Sequence, residues 1–372
     1  MLSDRDIESI LEKIPRLTIG VIGDLFLDRY LDIDNDLTEP SLETGLDAYQ
    51  VVRVRSYPGA AGTVINNLIA LGVKKVRAIS VIGNDGEGHE LLQALDQLHF
   101  VDRAGVVQDA SRRTPTYTKP MLQKAGQPAK ELNRLDIKNR APLSVFGEES
   151  VLSSLNQAWK EMGALIVSDQ VSEAECGVIT TGVRSRLAEL GNADPEKVIL
   201  ADSRERIGLF RSVWLKPNLR ECIQATEENS TAFSHTPGPA RAYTRSEQGQ
   251  GQGHGKANMD DAVHHVRQLA VQAMRPVFCT RGEHGVLIVD PRFDSPRTME
   301  VPAYRVVGPV DIVGAGDSAN AAIVCALAAG ADLAHAASFG CLVASITIQQ
   351  IGTTGTASPD QVRKRWQEVR RG

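Results

Sequence analysis

The stretch Asp311-Ile312-Val313-Gly314-Ala315-Gly316-Asp317-Ser318, followed over residues 319–333 by an Ala-rich apolar run, decides how the chain folds. The apolar run predicts a buried helix, and small residues at a helix start let backbone N–H groups approach an anion where the helix dipole adds positive potential. The pattern therefore predicts a phosphate cradle. On GxG alone, a tight turn that needs glycine only for close helix packing is an equal reading. Gly314, Gly316 and Ala319 also fit the dinucleotide fingerprint GxGxx(G/A), which would make the chain a nicotinamide-dependent oxidoreductase, although no acidic residue follows after a strand to hold a ribose. Asp317 separates the readings. A carboxylate at the mouth of the cradle would repel a bound pyrophosphate, yet a transferase needs one there to take a proton from an attacking hydroxyl while the N–H groups stabilise the moving phosphoryl group.

Upstream of this stretch, short β-branched runs alternate with segments of helical period, the pattern of a parallel sheet covered by helices. Strands are predicted at residues 18–22, 76–82, 164–168, 198–201, 212–215, 276–280 and 285–290, and helices at 63–71, 87–98, 150–162 and 260–273. Residues 31–57 and 112–135 carry strand-like alternation without helical connections, which suits a small β lid. Residues 227–257 are rich in Gly, Gln, Ser and Pro and are expected to be a disordered surface insertion. Gly255-Lys256 within it imitates a Walker loop, but Gln250 and Ala257 break the pattern and no strand precedes it. His264 and His265 are adjacent on a predicted helix and cannot point the same way, so packing or surface roles are expected rather than metal binding.

The 372 residues carry 41 Lys+Arg against 46 Asp+Glu, a net charge of −5, so no bulk positive field exists to hold nucleic acid or an anionic membrane. Any anionic substrate must be held by local groups. Residues 1–13 alternate charged and apolar positions like a short amphipathic helix, unlike a signal peptide, and no apolar run reaches a membrane span. The five cysteines lack CxxC spacing and read as reduced thiols of a cytoplasmic protein.

The motifs taken together resemble the PfkB/ribokinase-like carbohydrate kinases, whose C-terminal signature runs DTxGAGD. Gly23-Asp24 with Asp28-Arg29-Tyr30 is similar to the family's first strand and substrate-binding Asp; Pro58-Gly59-Ala60-Ala61-Gly62 through Asn67 and Leu71-Gly72 to its N-terminal signature; Val81-Ile82-Gly83-Asn84-Asp85-Gly86 to the segment after it. Asn218-Leu219-Arg220-Glu221 resembles the NxxE motif, and Thr280-Arg281-Gly282-Glu283-His284-Gly285 the segment lining the nucleotide phosphates. Arg113-Thr114-Pro115-Thr116, Asn133-Arg134-Leu135-Asp136, Ser168-Asp169, Lys216-Pro217-Asn218 and Ile351-Gly352-Thr353 carry a closer likeness to the heptose 7-phosphate kinase branch of the family, and no nucleotidyltransferase portion is expected within the chain. The chain departs from the pattern at Val313, where the family has Thr or Ser, at Ala60 for a second Gly, at Thr63 for a sugar-contacting Asn, and at Pro120, where a basic residue is expected.

The resemblance implies a single α/β, ribokinase-like kinase domain over residues 1–372, its mostly parallel sheet flanked by helices. It implies Asp317 as base with Gly314, Ala315 and Gly316 as anion hole; Asp24, Asp28, Gly59, Ala60, Thr63, Asn67, Lys119, Arg134 and Asp311 for the sugar; Lys216, Asn218, Thr280, Gly282, Gly285 and Cys341 for ATP; and Asn218 with Glu221 for Mg2+. Asn218 and Glu221 at i and i+3 are equally an ordinary capping box, and the two roles are compatible. The substrate expected is a sugar or sugar phosphate, with heptose 7-phosphate phosphorylated at its anomeric hydroxyl as the branch's example. Lid strands with exposed edges predict a homodimer. The departures leave open a catalytically weak sugar- or nucleotide-binding protein of the same fold.

Overall fold

The computed structural model describes residues 2–124, 126–233, 259–352 and 354–371. In chain order the elements are α1 (Asp4–Lys13), β1 (Thr18–Gly23), β2 (Leu25–Pro40), β3 (Asp47–Ala60), α2 (Ala61–Ala70), β4 (Lys75–Gly83), α3 (Gly86–Asp96), β5 (Val101–Asp109), β6 (Thr116–Gln123), β7 (Lys130–Glu131), β8 (Leu135–Ile137) and α4 (Val145–Ala158). They continue with β9 (Ala164–Asp169), α5 (Thr181–Ala193), β10 (Val198–Ser203), β11 (Trp214–Leu215), α6 (Leu219–Phe233), α7 (Met259–Ala273), β12 (Val277–Thr280), β13 (Val286–Asp290), β14 (Arg297–Val301), α8 (Ala315–Ala328), α9 (Leu333–Thr347) and α10 (Pro359–Arg371).

Strand residues alternate between two faces, and both faces of the main sheet are apolar. Ile19, Val21, Ala164, Ile166 and Leu200 join the core under α2, α8 and α9. Ile22, Leu165, Val167, Ile199 and Ala201 join the core under α4, α5 and α7. Near-continuous apolar runs, each buried side chain contributing about 1.5–3 kcal/mol, are what a sheet covered on both sides requires. The strand order is β14-β13-β12-β11-β10-β9-β1-β4-β5. All pairings from β5 to β12 are parallel, and β13 reverses direction through the short turn at residues 281–285. The chain changes sheet direction between β1 and β9, and the carboxyl ends flanking such a switch point form a natural crevice.

A second sheet, β3-β2-β6-β7 with β8 on β6, lies over that end. It is the lid expected from residues 31–57 and 112–135, although its strands begin at Leu25 and extend to Ile137. The hairpin β2/β3 is antiparallel and β2/β6 parallel. The apolar run after Gly316 is two helices rather than one reaching residue 333. α8 ends at Ala328, Gly330 takes φ +87°, and Asp332 caps α9 through the His335 N–H at 2.8 Å. α6 continues through Phe233, past the expected start of the insertion at residue 227; residues 234–258, with the Walker-like Gly255-Lys256, lie outside the described residues.

Candidate active site

Asp202 lies near the end of β10 and Lys216 directly after β11, whereas Asp317 is carried by the start of α8. Gly314 enters α8 in the left-handed region (φ +79°), and a Cβ there would meet Thr354 Cγ2 at 2.7 Å, so this position requires glycine. The helix is entered from an irregular segment, residues 302–314, and not from a strand, which removes the context a dinucleotide fingerprint needs. Ala315 N–H turns back to Ile312 O at 3.2 Å. The helix supplies no carbonyl for the N–H groups of Gly316 and Asp317, so these two, unlike that of Ala315, are left open to an outside acceptor.

Asp317 lies in the first turn of α8, partly open to the cleft. Loss of solvation pushes its pKa up to about 7; Asp202 adds to the shift while Lys216 and Arg204 oppose it. Lys216, 3% exposed, holds Asp202 Oδ2 at 2.7 Å, and its Nζ lies 3.8 Å from where a Gly316 side chain would begin. Burial alone would push the Lys216 ammonium down, but Asp202, with Glu221 and Asp317 nearby, outweighs it and leaves the pKa above the usual lysine value. The cluster is therefore one cation among three carboxyl groups. The sequence reading missed Asp202 and Arg204; the signal was a carboxylate and an arginine directly after an apolar strand ending at residue 201.

Asn218 and Glu221 do form a capping box: Asn218 N–H donates to Glu221 Oε2 at 2.8 Å and Glu221 N–H to Asn218 Oδ1 at 2.9 Å. Burial and Asp202 push the Glu221 pKa up to about 7, against the Asn218 N–H, Lys216 and Arg204. Thr280 bridges to Asn218 in parallel fashion and donates its N–H to Pro217 O at 2.9 Å. Gly282 and Gly285 both take positive φ, and a Cβ on Gly285 would lie 2.0 Å from Val301 O. Cys341 sits on α9 beside Tyr304, its thiol pushed up to about 12 by burial.

At the lid end, Asp28 faces Lys119 at 3.6 Å and lies against Gly59, where a Cβ would come within 2.9 Å of its carboxyl carbon. Burial raises the Asp28 pKa, with Lys119 and Arg134 opposing. Lys119 donates to Tyr30 OH at 3.1 Å. Arg134 stacks on Tyr117 at 4.0 Å and is bound to Asp136 through both Nε and Nη2.

Five further residues expected at the sugar lie just after β1, at the start of and within α2, and just before α8. Asp24, 2% exposed, accepts from the N–H groups of Gln170 (2.9 Å), Val171 (3.1 Å) and Val178 (2.7 Å), so its carboxylate shapes the loop after β9. Asn67 is 1% exposed and gives its amide to Thr63 O within α2. Thr63, 7% exposed, has its methyl near Gly314. Asp311 braces the cradle, accepting from Val313 N–H (3.0 Å) and Gly352 N–H (3.2 Å). Ala60 caps α2 with φ +54° and ψ −114°, a conformation suited to the glycine it replaces.

A mostly parallel sheet flanked by helices, with a small second β-sheet at its carboxyl edge, defines the ribokinase-like class. Solved structures share this fold: Escherichia coli phosphofructokinase-2 (TM-score 0.63, 17% identity, 95% of this chain and 99% of that one) and Thermotoga maritima ribokinase (TM-score 0.60, 17% identity, 94% and 99%). Residues 201–361 match the model for the pfkB family carbohydrate kinases. The chain is similar to the bifunctional protein HldE of Trichlorobacter lovleyi (27% identity, 96% of this chain) and of Geotalea uraniireducens (28%, 96%), and spans 64% of the length of each. The comparisons thus show a ribokinase-like fold with a likeness to the pfkB family carbohydrate kinases, carried by residues 201–361 and by the HldE proteins over nearly the whole chain.

Proposed function

We infer that the protein transfers the γ-phosphoryl group of ATP to a hydroxyl of a sugar or sugar phosphate, with Asp317 as base. The observation that carries this reading is the placement of Asp317: a carboxyl with pKa about 7, one residue past the amide of Gly316 and within the field of the buried Lys216. A pKa near the working pH lets the carboxylate accept the hydroxyl proton as the acceptor oxygen bonds to phosphorus and the bond to ADP breaks. The Gly316 and Asp317 N–H groups with Lys216 would stabilise the transferring group, and Asp28 against Gly59 would orient the acceptor. ATP is also what an Arabidopsis thaliana ribokinase of this fold is complexed with.

Mg2+ suits the donor set. Glu221, with Asn218 beside it and Asp202 nearby, would offer hard oxygen ligands to a cation held by one or two carboxylates plus substrate phosphates. Bound there, it would neutralise phosphate charge. The relatives and the motifs favour heptose 7-phosphate as acceptor. The hairpin β2/β3 exposes Leu46 (71%), Val52 (55%) and Val54 (54%), a face suited to pairing with a second copy. Among the described residues no helix is long and apolar enough to cross a membrane, and the five cysteines are free, which fits a reducing cytoplasm.

Incubation with magnesium-ATP and a panel of free and phosphorylated sugars, read by mass spectrometry, tests the reading. One sugar should gain a phosphoryl group, and Asp317→Asn should lower kcat by about 10²–10⁴-fold with ATP binding unchanged. A variant retaining near-normal rate removes Asp317 as base; ATP binding without any product favours a binding protein of the same fold.

A further inference from the structure

Successive residues of a strand face opposite sides of a sheet, so the lid has two faces with different neighbours. β2 and β3 pair Asp28 with Tyr57 and Arg29 with Ser56. One face carries Asp28, Tyr30 and Tyr57, joined to Lys119 of β6 through its contacts with Asp28 (3.6 Å) and Tyr30 OH (3.1 Å). The other face carries Arg29 and Ser56, and it rests on α3. The Arg29 guanidinium meets Glu90 through Nη2 and Glu87 through Nη1 at 3.7 Å, and the Ser56 hydroxyl donates to Glu90. Glu87 and Glu90, three residues apart, share one face of the helix. The segment leading into β6 is tied to the same turn: Arg113 donates to Glu87 at 2.8 Å and lies 3.2 Å from Asp85, the N-cap of α3. Asp85 also accepts from the Thr114 N–H at 2.9 Å and the Thr114 hydroxyl at 2.7 Å. Lid strands β2, β3 and β6 are thus fastened to the first turns of α3, which follows β4 of the main sheet directly. The Arg29, Glu87 and Glu90 side chains are partly buried, so salt screens these pairs less than surface ones.

We propose that Glu87 and Glu90 are positioning residues: by gripping Arg29 they fix the neighbouring Asp28 where it orients the acceptor hydroxyl. The inference rests on the reading above, in which Asp28 holds the acceptor. Arg29 and Asp28 are adjacent on β2 and point to opposite faces, so a shift of Arg29 on α3 carries the Asp28 carboxylate with it. A displacement of about 1 Å is enough to spoil a reacting geometry. The donor end, carried by α8, α6 and β10, would keep its own.

Glu90→Gln, which keeps the shape and removes the charge, should raise the KM for the acceptor by about tenfold while the KM for magnesium-ATP stays within about twofold. The charge swap Arg29→Glu/Glu90→Arg should recover part of what Arg29→Glu alone loses. Asp96→Asn serves as control: it breaks the ion pair with Arg103 at the far end of the same helix and should leave both KM values unchanged, which separates positioning from a general loosening of α3. A readout without turnover is amide hydrogen exchange, which in Glu90→Gln should quicken by about fivefold in β2 and β3 and stay the same in β9 and β10. An acceptor KM within about twofold of the parent overturns the proposal. Equal rises in both KM values, an equal effect of Asp96→Asn, or unchanged exchange in β2 and β3 overturn it as well. In those outcomes the parent still turns over and the kinase reading survives; a parent that transfers no phosphoryl group to any sugar sinks both.

Discussion

Two ion pairs of nearly equal length sit at opposite ends of the cleft. Lys216 and Asp202 meet at 2.7 Å with side chains 4% and 13% exposed, whereas Arg134 and Asp136 meet at 2.6 Å with side chains 37% and 27% exposed. Length does not distinguish them; solvent does. The first pair is taken out of water among further carboxyls, so removing one partner leaves a buried charge unpaired. The second can be rehydrated. The donor end of the cleft is therefore a coupled electrostatic unit, and the lid end a set of separable contacts suited to opening and closing.

The largest effect expected from this contrast is on stability. Lys216→Met should cost about 3–5 kcal/mol by stranding Asp202, while Arg134→Met should cost about 1 kcal/mol or less. Urea midpoints at constant m-value would measure both. Equal losses would erase the distinction between the two ends. The double variant Lys216→Met/Asp202→Asn should recover much of the first loss, because no charge is then left unpaired.

Next in size is the response to pH. Asp317 and Glu221 are each raised to about 7 from ordinary values of 3.8 and 4.5, so the fold favours their protonated forms. Stability drawn from these groups is greatest below the ordinary values and declines as pH rises toward 7. If Asp317 is the base proposed above, activity runs the other way, since the base must be ionised: kcat/KM should climb about tenfold per pH unit below 7 and level off above it. Asp317→Asn should gain stability relative to the parent between pH 5 and pH 8. A pH profile already flat at pH 5 would show that Asp317 is solvated like an ordinary carboxyl and that the donor end is not coupled.

The same contrast explains how much of the molecule could be read from its sequence. The donor end is written in contiguous residues. Gly314, Gly316 and Asp317 fall within four positions, Asn218 and Glu221 within one helical turn, and the apolar strands alternate toward two cores, so local pattern and structure agree. The lid end depends on partners far apart in sequence, such as Lys119 with Tyr30 and Asp28, and only its strand-like alternation was visible. Asp24 shows the same limit: the loop after β9 supplies the three N–H groups it accepts from, and nothing near Asp24 in the sequence announces them. Arg204 and Asp202 carried a local signal, charge directly after an apolar strand, that the surrounding motifs overshadowed.

The smallest expected effect concerns the joint between the two ends. β3 of the lid passes directly into α2 at Ala60, which holds φ +54° and ψ −114° without a side-chain cap. A Cβ is strained there, costing about 1–3 kcal/mol, and glycine would remove the strain while adding freedom to the unfolded chain worth about 0.4–1 kcal/mol. Ala60→Gly should therefore stabilise the protein by ~1 kcal/mol, visible as a small rise in urea midpoint. Gly59 next to it lies against Asp28, and a Cβ there would come within 2.9 Å of the carboxyl carbon and push that side chain aside. Gly59→Ala should thus impair acceptor binding, whereas Ala60→Gly should leave it intact. If Ala60→Gly instead destabilises the fold, the joint is held by contacts of the Ala60 methyl, and the lid is less separable from the core than its solvated ion pairs imply.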